Sequence, residues 1–278
     1  MGRIMKKVKV RNLVKYFGDK KAIDNISFEV YEGEIFGLLG HNGAGKTTTL
    51  RIIAGIINDY EGEVEVNGKI GYLPEERGLY KDERVGEVLT FFGELAGMEK
   101  EEIKNQIDYW LKKLNIYKYK NQKVKTLSKG NQQKVQFIIS VLHNPDIIIL
   151  DEPFSGLDIF NLNLLKEILF ELKEMGKSII LSTHQLEKIE RFCDRVLVLK
   201  NGKVIHYGRI DEICHKKVAY VEYIKDGKLI KQNLPHEEAI LLIKNEEILR
   251  NLIKFEVRSS LEDLFLKETF KKLNENQR

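Results

Sequence analysis

Gly40-His41-Asn42-Gly43-Ala44-Gly45-Lys46-Thr47-Thr48 follows the apolar run Ile35-Phe36-Gly37-Leu38-Leu39 and opens a segment, 47–57, that reads as a helix. A glycine loop between a buried strand and a helix turns successive backbone N–H groups onto one anion, and the helix N-terminus adds partial positive charge. In that setting Lys46 reaches the β- and γ-phosphates of a nucleotide, and the Thr47 hydroxyl is placed to ligate Mg²⁺. Strand, loop and helix in this order begin an α/β fold, and the surrounding chain is read outward from them.

Upstream, residues 8–14, 23–30 and 34–38 read as strands. Downstream, 63–66 and 70–73 are further strand candidates, separated by Asn67-Gly68, a dipeptide that predicts a hairpin turn. Residues 84–143 change to helical patterning with a charged stretch at 99–104, as an inserted helical subdomain would. Strand character returns in Ile147-Ile148-Ile149-Leu150, an unbroken apolar run of the kind buried in a parallel sheet. Leu162, Leu165, Leu169 and Leu172 then mark one face of an amphipathic helix. Residues 177–183 and 195–200 read as two more strands, with Asn201-Gly202 turning into a third at 203–207.

Alternation of strand and helix around a glycine loop predicts an α/β core with a mostly parallel sheet and an antiparallel β edge. After about residue 215 the pattern restarts. Strand-like 218–224, the turn Asp226-Gly227, strand-like 228–230, helical segments, a strand near 253–257 and a helix at 261–271 make a small α+β appendix. The expected domains are therefore 1–215 and 216–278.

Composition sets limits on this reading. Charge is nearly balanced, 46 Lys+Arg against 42 Asp+Glu for a net +4, so nothing in it calls for nucleic acid. Cys193 and Cys214 are too few for a disulfide framework or a metal cluster, in keeping with a cytosolic protein. No apolar run approaches the roughly 18 residues that span a bilayer. Any pore that this chain serves is thus expected in another polypeptide.

Two further elements handle phosphate chemistry. The strand over 147–150 ends in Asp151-Glu152, one carboxylate placed to hold Mg²⁺ and the next to polarise an attacking water. Leu127-Ser128-Lys129-Gly130-Asn131-Gln132 opens a helix, where Ser128 acts either as a helix cap or in a second anion site. The five elements in register are the glycine loop, Ser128–Gln132, Asp151-Glu152, Ser155-Gly156-Leu157-Asp158 and His184. With them, residues 6–215 resemble the nucleotide-binding subunit of ATP-binding cassette (ABC) transporters.

The resemblance implies a cytoplasmic ATPase, peripheral on the inner face of the cell membrane, that uses ATP and Mg²⁺ and drives a separate integral membrane permease. It implies a head-to-tail homodimer with two ATP molecules between subunits. Gly40, Asn42, Gly43, Ala44, Gly45, Lys46, Thr47 and Thr48 would bind the phosphates of each, and Ser128, Gly130 and Gln132 of the other copy would cover them. Thr47 and Asp151 would serve Mg²⁺, Glu152 would act as general base, His184 would contact the γ-phosphate, and Asp158 would lie at the subunit contact. Phe17 or Tyr16 would stack on adenine.

The chain departs from the family pattern at Lys129 and Asn131, where glycine and glutamine are usual, and at Glu75, where a glutamine facing Mg²⁺ is usual. Glu75 is either a charged metal ligand or a solvated loop residue. Leu73-Pro74-Glu75-Glu76-Arg77-Gly78 together with the appendix resembles an exporter-type subgroup implicated in sodium or drug extrusion. Alternative readings are a non-transport ABC ATPase or a nucleotide-gated scaffold. The 81 residues from 47 to 127 leave no room for the long coiled coil of chromosome and repair types.

Overall fold

A computed structural model describes residues 5–76, 78–214 and 217–259. The alternating N-terminal segments form β1 (Lys6–Phe17) and β2 (Lys20–Tyr31), paired antiparallel. Val8 and Val10 face inward, and the inward phase then slips to Leu13; on β2 it slips between Ile23 and Ile26. Each slip contains an asparagine with positive φ, Asn12 at 48° and Asn25 at 54°. Asparagine tolerates that conformation, so the two strands can bulge while keeping apolar side chains on one face.

β3 (Ile35–Leu39) is buried at every position and leads through the glycine loop into α1 (Lys46–Ile53). The expected hairpin at Asn67-Gly68 does not form. β4 (Glu61–Val66) pairs with β1 in a three-stranded antiparallel sheet, whereas β5 (Ile70–Leu73) joins a different, six-stranded sheet. The dipeptide is a crossing point between sheets. Asn67 N–H donates to the Lys7 carbonyl (2.8 Å), and Lys69 N–H donates to Asp146 Oδ2 (2.8 Å). Gly68 has φ 136°, and a Cβ there would stand 2.6 Å from that of Asp146. Gly68 takes a positive φ, but long-range partners on either side decide against a hairpin.

Three helices follow: α2 (Val85–Leu95), α3 (Lys100–Lys113) and α4 (Lys129–Val141). Trp110 of α3 meets Phe137 of α4 edge to face at 6.1 Å. α4 also packs on β5, where Gly71 lies so close to the Ser140 carbonyl that any Cβ would overlap it. Beyond α4 come β6 (Ile147–Asp151), α5 (Ile159–Glu174), β7 (Ser178–Thr183), α6 (Leu186–Phe192), β8 (Arg195–Lys200) and β9 (Lys203–Arg209). Leu162, Leu165, Leu169 and Leu172 of α5 are all buried.

The large sheet has the order β5-β6-β7-β3-β8-β9, and β5, β6, β7, β3 and β8 run parallel. The carboxyl ends of β3, β6 and β7 therefore share one edge, where open α/β sheets bind ligands. One core joins both sheets to α1, and Phe28 of β2 stacks on Phe36 of β3 with centroids 5.4 Å apart. Burying each such side chain contributes on the order of 2 kcal/mol.

The chain divides into two compact units, 1–207 and 208–278, earlier than the boundary expected at 215. Tyr207 is tied into the first unit: its hydroxyl accepts from Glu29 N–H at 3.1 Å, and its ring meets Phe36 edge-on. In the second unit α7 (Ile210–Cys214) precedes β10 (Lys217–Lys225), β11 (Lys228–Pro235), α8 (His236–Ile243), α9 (Glu246–Arg250) and β12 (Leu252–Ser259). The sheet order is β11-β10-β12, and Ala219, Val221 and Tyr223 of β10 pack on Ala239 of α8. Asp226 and Gly227, both with positive φ, make the predicted turn. The helix expected at 261–271 lies outside the described residues. Among the described residues no helix is long and apolar enough to cross a membrane.

Candidate functional site

The glycine loop is shaped by what its backbone must avoid. A Cβ on Gly40 would stand 2.5 Å from the Leu199 carbonyl, and one on Gly45, with φ 106°, 2.9 Å from the Ala22 carbonyl. Gly43 has φ 80°, and a Cβ there would meet no heavy atom within 4 Å, so its constraint is conformational alone. The Asn201-Gly202 turn supports the loop from beneath, with Gly202 N–H donating to Ala44 O at 3.1 Å. α1 starts at Lys46 with no acidic residue in its first turn, leaving the positive end of its dipole uncompensated by side chains. Lys46 is buried, and its ammonium donates to Gly40 O at 2.8 Å and His41 O at 3.4 Å.

β6 delivers the two carboxylates. Asp151 and Glu152 are buried, and Glu152 has φ 50°, a strained conformation for a residue with a Cβ. The bend brings Glu152 Oε1 within 3.6 Å of Lys46 Nζ and 3.0 Å of His184 Nδ1. With the carboxylate ionised, Nδ1 is the donor of that contact. Sequence reasoning missed Ser182 of β7, opposite Asp151 in the ladder: its hydroxyl accepts from Glu152 N–H (3.1 Å) and donates to Asp151 Oδ1 (2.5 Å). Its one sequence signal is that it stands two positions before His184.

A cavity of about 430 Å³ opens on this cluster, in the size range of small-molecule sites. Phe17, Asn42, Gly43, Gly45, Lys46, Thr47, Thr48, Glu75 and Glu152 all line it, so two sequence-distant candidates, Phe17 and Glu75, converge on the loop. Lys20 and Ala22 line it as well and were not anticipated. Phe17 is half exposed, and Lys15 Nζ lies 5.1 Å from its ring centroid; Tyr16 does not line the cavity.

The donor set suits Mg²⁺. Asp151 Oδ2 is the only carboxylate oxygen among the described residues that is buried without a hydrogen-bond partner. Mg²⁺ takes most of its oxygens from water and phosphate and needs few protein ligands. Asp151, Thr47 and Glu75 are the residues that would hold it, and when bound it would neutralise charge on the phosphates.

Gly40, Ala44, Asp151 and His184 adjoin the loop and the strand ends without lining this cavity, and Ser128, Gly130, Gln132 and Asp158 do not line it either. Ser128 caps α4, accepting from Asn131 N–H at 3.4 Å. Asp158 caps α5, accepting from Asn161 N–H at 2.8 Å. Gly130 is beside Asn161, whose amide would be 3.8 Å from a Cβ there, and this places the two helix starts together. Gln132 spends its amide donor on Leu127 O (3.0 Å) and Val124 O (3.3 Å), so within the subunit it shapes the approach to α4.

The ABC transporter family matches residues 23–155. The chain is similar to the ABC transporter ATP-binding protein MJ1023 of Methanocaldococcus jannaschii, 73% identical over 94% of this chain and 99% of that protein. It is similar also to the teichoic acids export ATP-binding protein TagH of Lactococcus lactis, 35% identical over 73% of this chain and 44% of TagH. Among solved structures, an ATP-binding subunit of an ABC transporter superposes with a TM-score of 0.70 at 31% identity, over 75% of this chain and 92% of that one.

Proposed function

The chain belongs to the ATP-binding subunits of ABC transporters, and from that premise we propose that it hydrolyses Mg²⁺-ATP as a head-to-tail homodimer and drives a separate membrane permease, in the export direction, from the cytoplasmic face. One observation carries the catalytic half of this reading. Lys46, Glu152 and His184, drawn from three distant parts of the chain, meet around Glu152 Oε1, which lies 3.6 Å from Lys46 Nζ and 3.0 Å from His184 Nδ1, and Lys46 and Glu152 line the cavity. Incoming phosphate takes Lys46 from the loop carbonyls it holds. Glu152 accepts a proton from the attacking water, and His184 keeps its carboxylate aimed through Nδ1. Stacking of adenine on Phe17 and contact of the second copy's Ser128 and Gly130 with the γ-phosphate complete the arrangement.

Support for two copies is the separation of Ser128, Gly130 and Asp158 from the cavity of their own subunit: their helix starts face a ligand only if another chain brings one. The name of TagH supports export. The test is light scattering of Glu152→Gln with and without ATP. A doubling of mass on ATP, abolished by adding Ser128→Arg, is the expected result; a monomer at saturating ATP overturns the dimer.

A further inference from the structure

We propose that Ser182 is a positioning residue that sets Asp151 for the divalent cation and Glu152 for the water through one hydroxyl. The inference rests on the assignment of Asp151 to Mg²⁺ made above. A serine hydroxyl has a single proton and two lone pairs. Glu152 N–H can only donate, so the Ser182 oxygen must accept from it at 3.1 Å, and the hydroxyl proton is left for Asp151 Oδ1 at 2.5 Å. Ser182 is fully buried, which removes water as a substitute partner for either bond. Asp151 Oδ1 is thereby committed, and Oδ2 becomes the free, buried oxygen.

The same hydroxyl pins the backbone at Glu152, whose φ of 50° is unfavourable for any side chain with a Cβ. Strain of that kind persists only where surrounding bonds over-determine it. Here the bond that does so also fixes the carboxylate before it. The parallel pairing of Asp151 with Ser182 supplies the rigid frame, so hydroxyl and carboxylate sit on adjacent strands of one sheet. Loss of the hydroxyl frees Oδ1 to rotate, dividing the ligand between orientations, and leaves the Glu152 N–H unpaired.

Outer partners of metal ligands typically govern about 10–100-fold in metal affinity. The experiment uses the full chain with Ser182→Ala, Ser182→Cys and Asp151→Asn. It measures binding of a fluorescent ATP analogue by anisotropy, first in EDTA and then titrated with Mg²⁺. The expected result for Ser182→Ala is an unchanged affinity in EDTA and a Mg²⁺ half-saturation raised about tenfold. Cysteine, a weak donor of similar size, should give a smaller rise.

A Mg²⁺ midpoint within twofold of wild type in a folded Ser182→Ala protein overturns the proposal, and so does an equal loss of affinity with and without the ion. If the alanine variant fails to fold, the cysteine variant decides on the same criterion. Asp151→Asn separates the two levels. If it too leaves the midpoint unmoved, the metal assignment has failed; if it shifts the midpoint while Ser182→Ala does not, only the role of Ser182 falls.

Discussion

Glu152→Gln should tighten ATP binding while nearly abolishing turnover, and the contacts of Lys46 give the size of the first effect. Lys46 Nζ lies 3.6 Å from Glu152 Oε1, with both side chains buried. At an effective dielectric of 20 the attraction across that distance is about 4–5 kcal/mol. A triphosphate must draw the ammonium out of this field and then rest beside a carboxylate of its own sign. The amide removes both penalties but keeps an oxygen that can accept from His184. Lys46 retains its bonds to Gly40 O and His41 O, so only part of the attraction is released. A charge-assisted hydrogen bond, about 1.5–3 kcal/mol, is a fair measure of that part, and it corresponds to roughly 10–150-fold in Kd. Loss of the proposed general base should lower kcat by about 10²–10⁴-fold. Equilibrium binding of ATP by calorimetry and phosphate release under single turnover measure the two separately. Weaker or unchanged binding would refute the electrostatic argument, and wild-type turnover would refute the assignment of Glu152 as base.

Glu75→Gln should raise the Mg²⁺ concentration for half-maximal phosphate release with only a modest fall at saturation, and Glu75→Ala should do so more strongly; overlaid titrations would make Glu75 a solvated loop residue. Gly71→Ala should lower unfolding stability in urea by about 1–3 kcal/mol, because its Cβ forces α4 off β5 at the Ser140 carbonyl; an unchanged midpoint would contradict that packing. The Lys69 N–H holds the Asp146 carboxyl below its ordinary pKa of 3.8. Its ionised form therefore adds stability that is complete above 3.8 and is lost as pH falls through the lowered value. The stability gap between wild type and Asp146→Asn should accordingly close in acid, and a gap constant with pH would refute the linkage. Removal of residues 216–278 should leave nucleotide binding by the remainder largely intact; lost binding in a well-folded truncation would count against the division of labour.

Features that depend on neighbours along the chain were legible from the residues alone. Gly40 to Thr48 after an apolar strand specified a loop and helix start, since glycine content and helix polarity are local properties. The leucines of α5 and the turns at Asn201-Gly202 and Asp226-Gly227 were legible for the same reason, and the acidic end of β6 needed only a buried run to announce it. Asn67-Gly68 marks the limit. Its composition specified a turn but not the destination of the next strand, which Lys7 and Asp146 decide from 60 or more residues away.

The proposed catalytic cluster lies on both sides of that limit. Lys46, Glu152 and His184 were each recognisable, but their meeting depends on β3, β6 and β7 ending at one edge of a sheet whose order is not the order of the chain. Ser182 had almost no signal of its own, because a serine in a strand is ordinary until its partner 31 residues upstream is known. Gln132 shows the converse: its place in a recognised motif did not disclose that its amide is bonded to Leu127 and Val124. Local sequence fixes backbone preference and periodicity, while the hydrogen-bond partner of a buried polar group is set by strand order and register, which only the assembled sheet supplies.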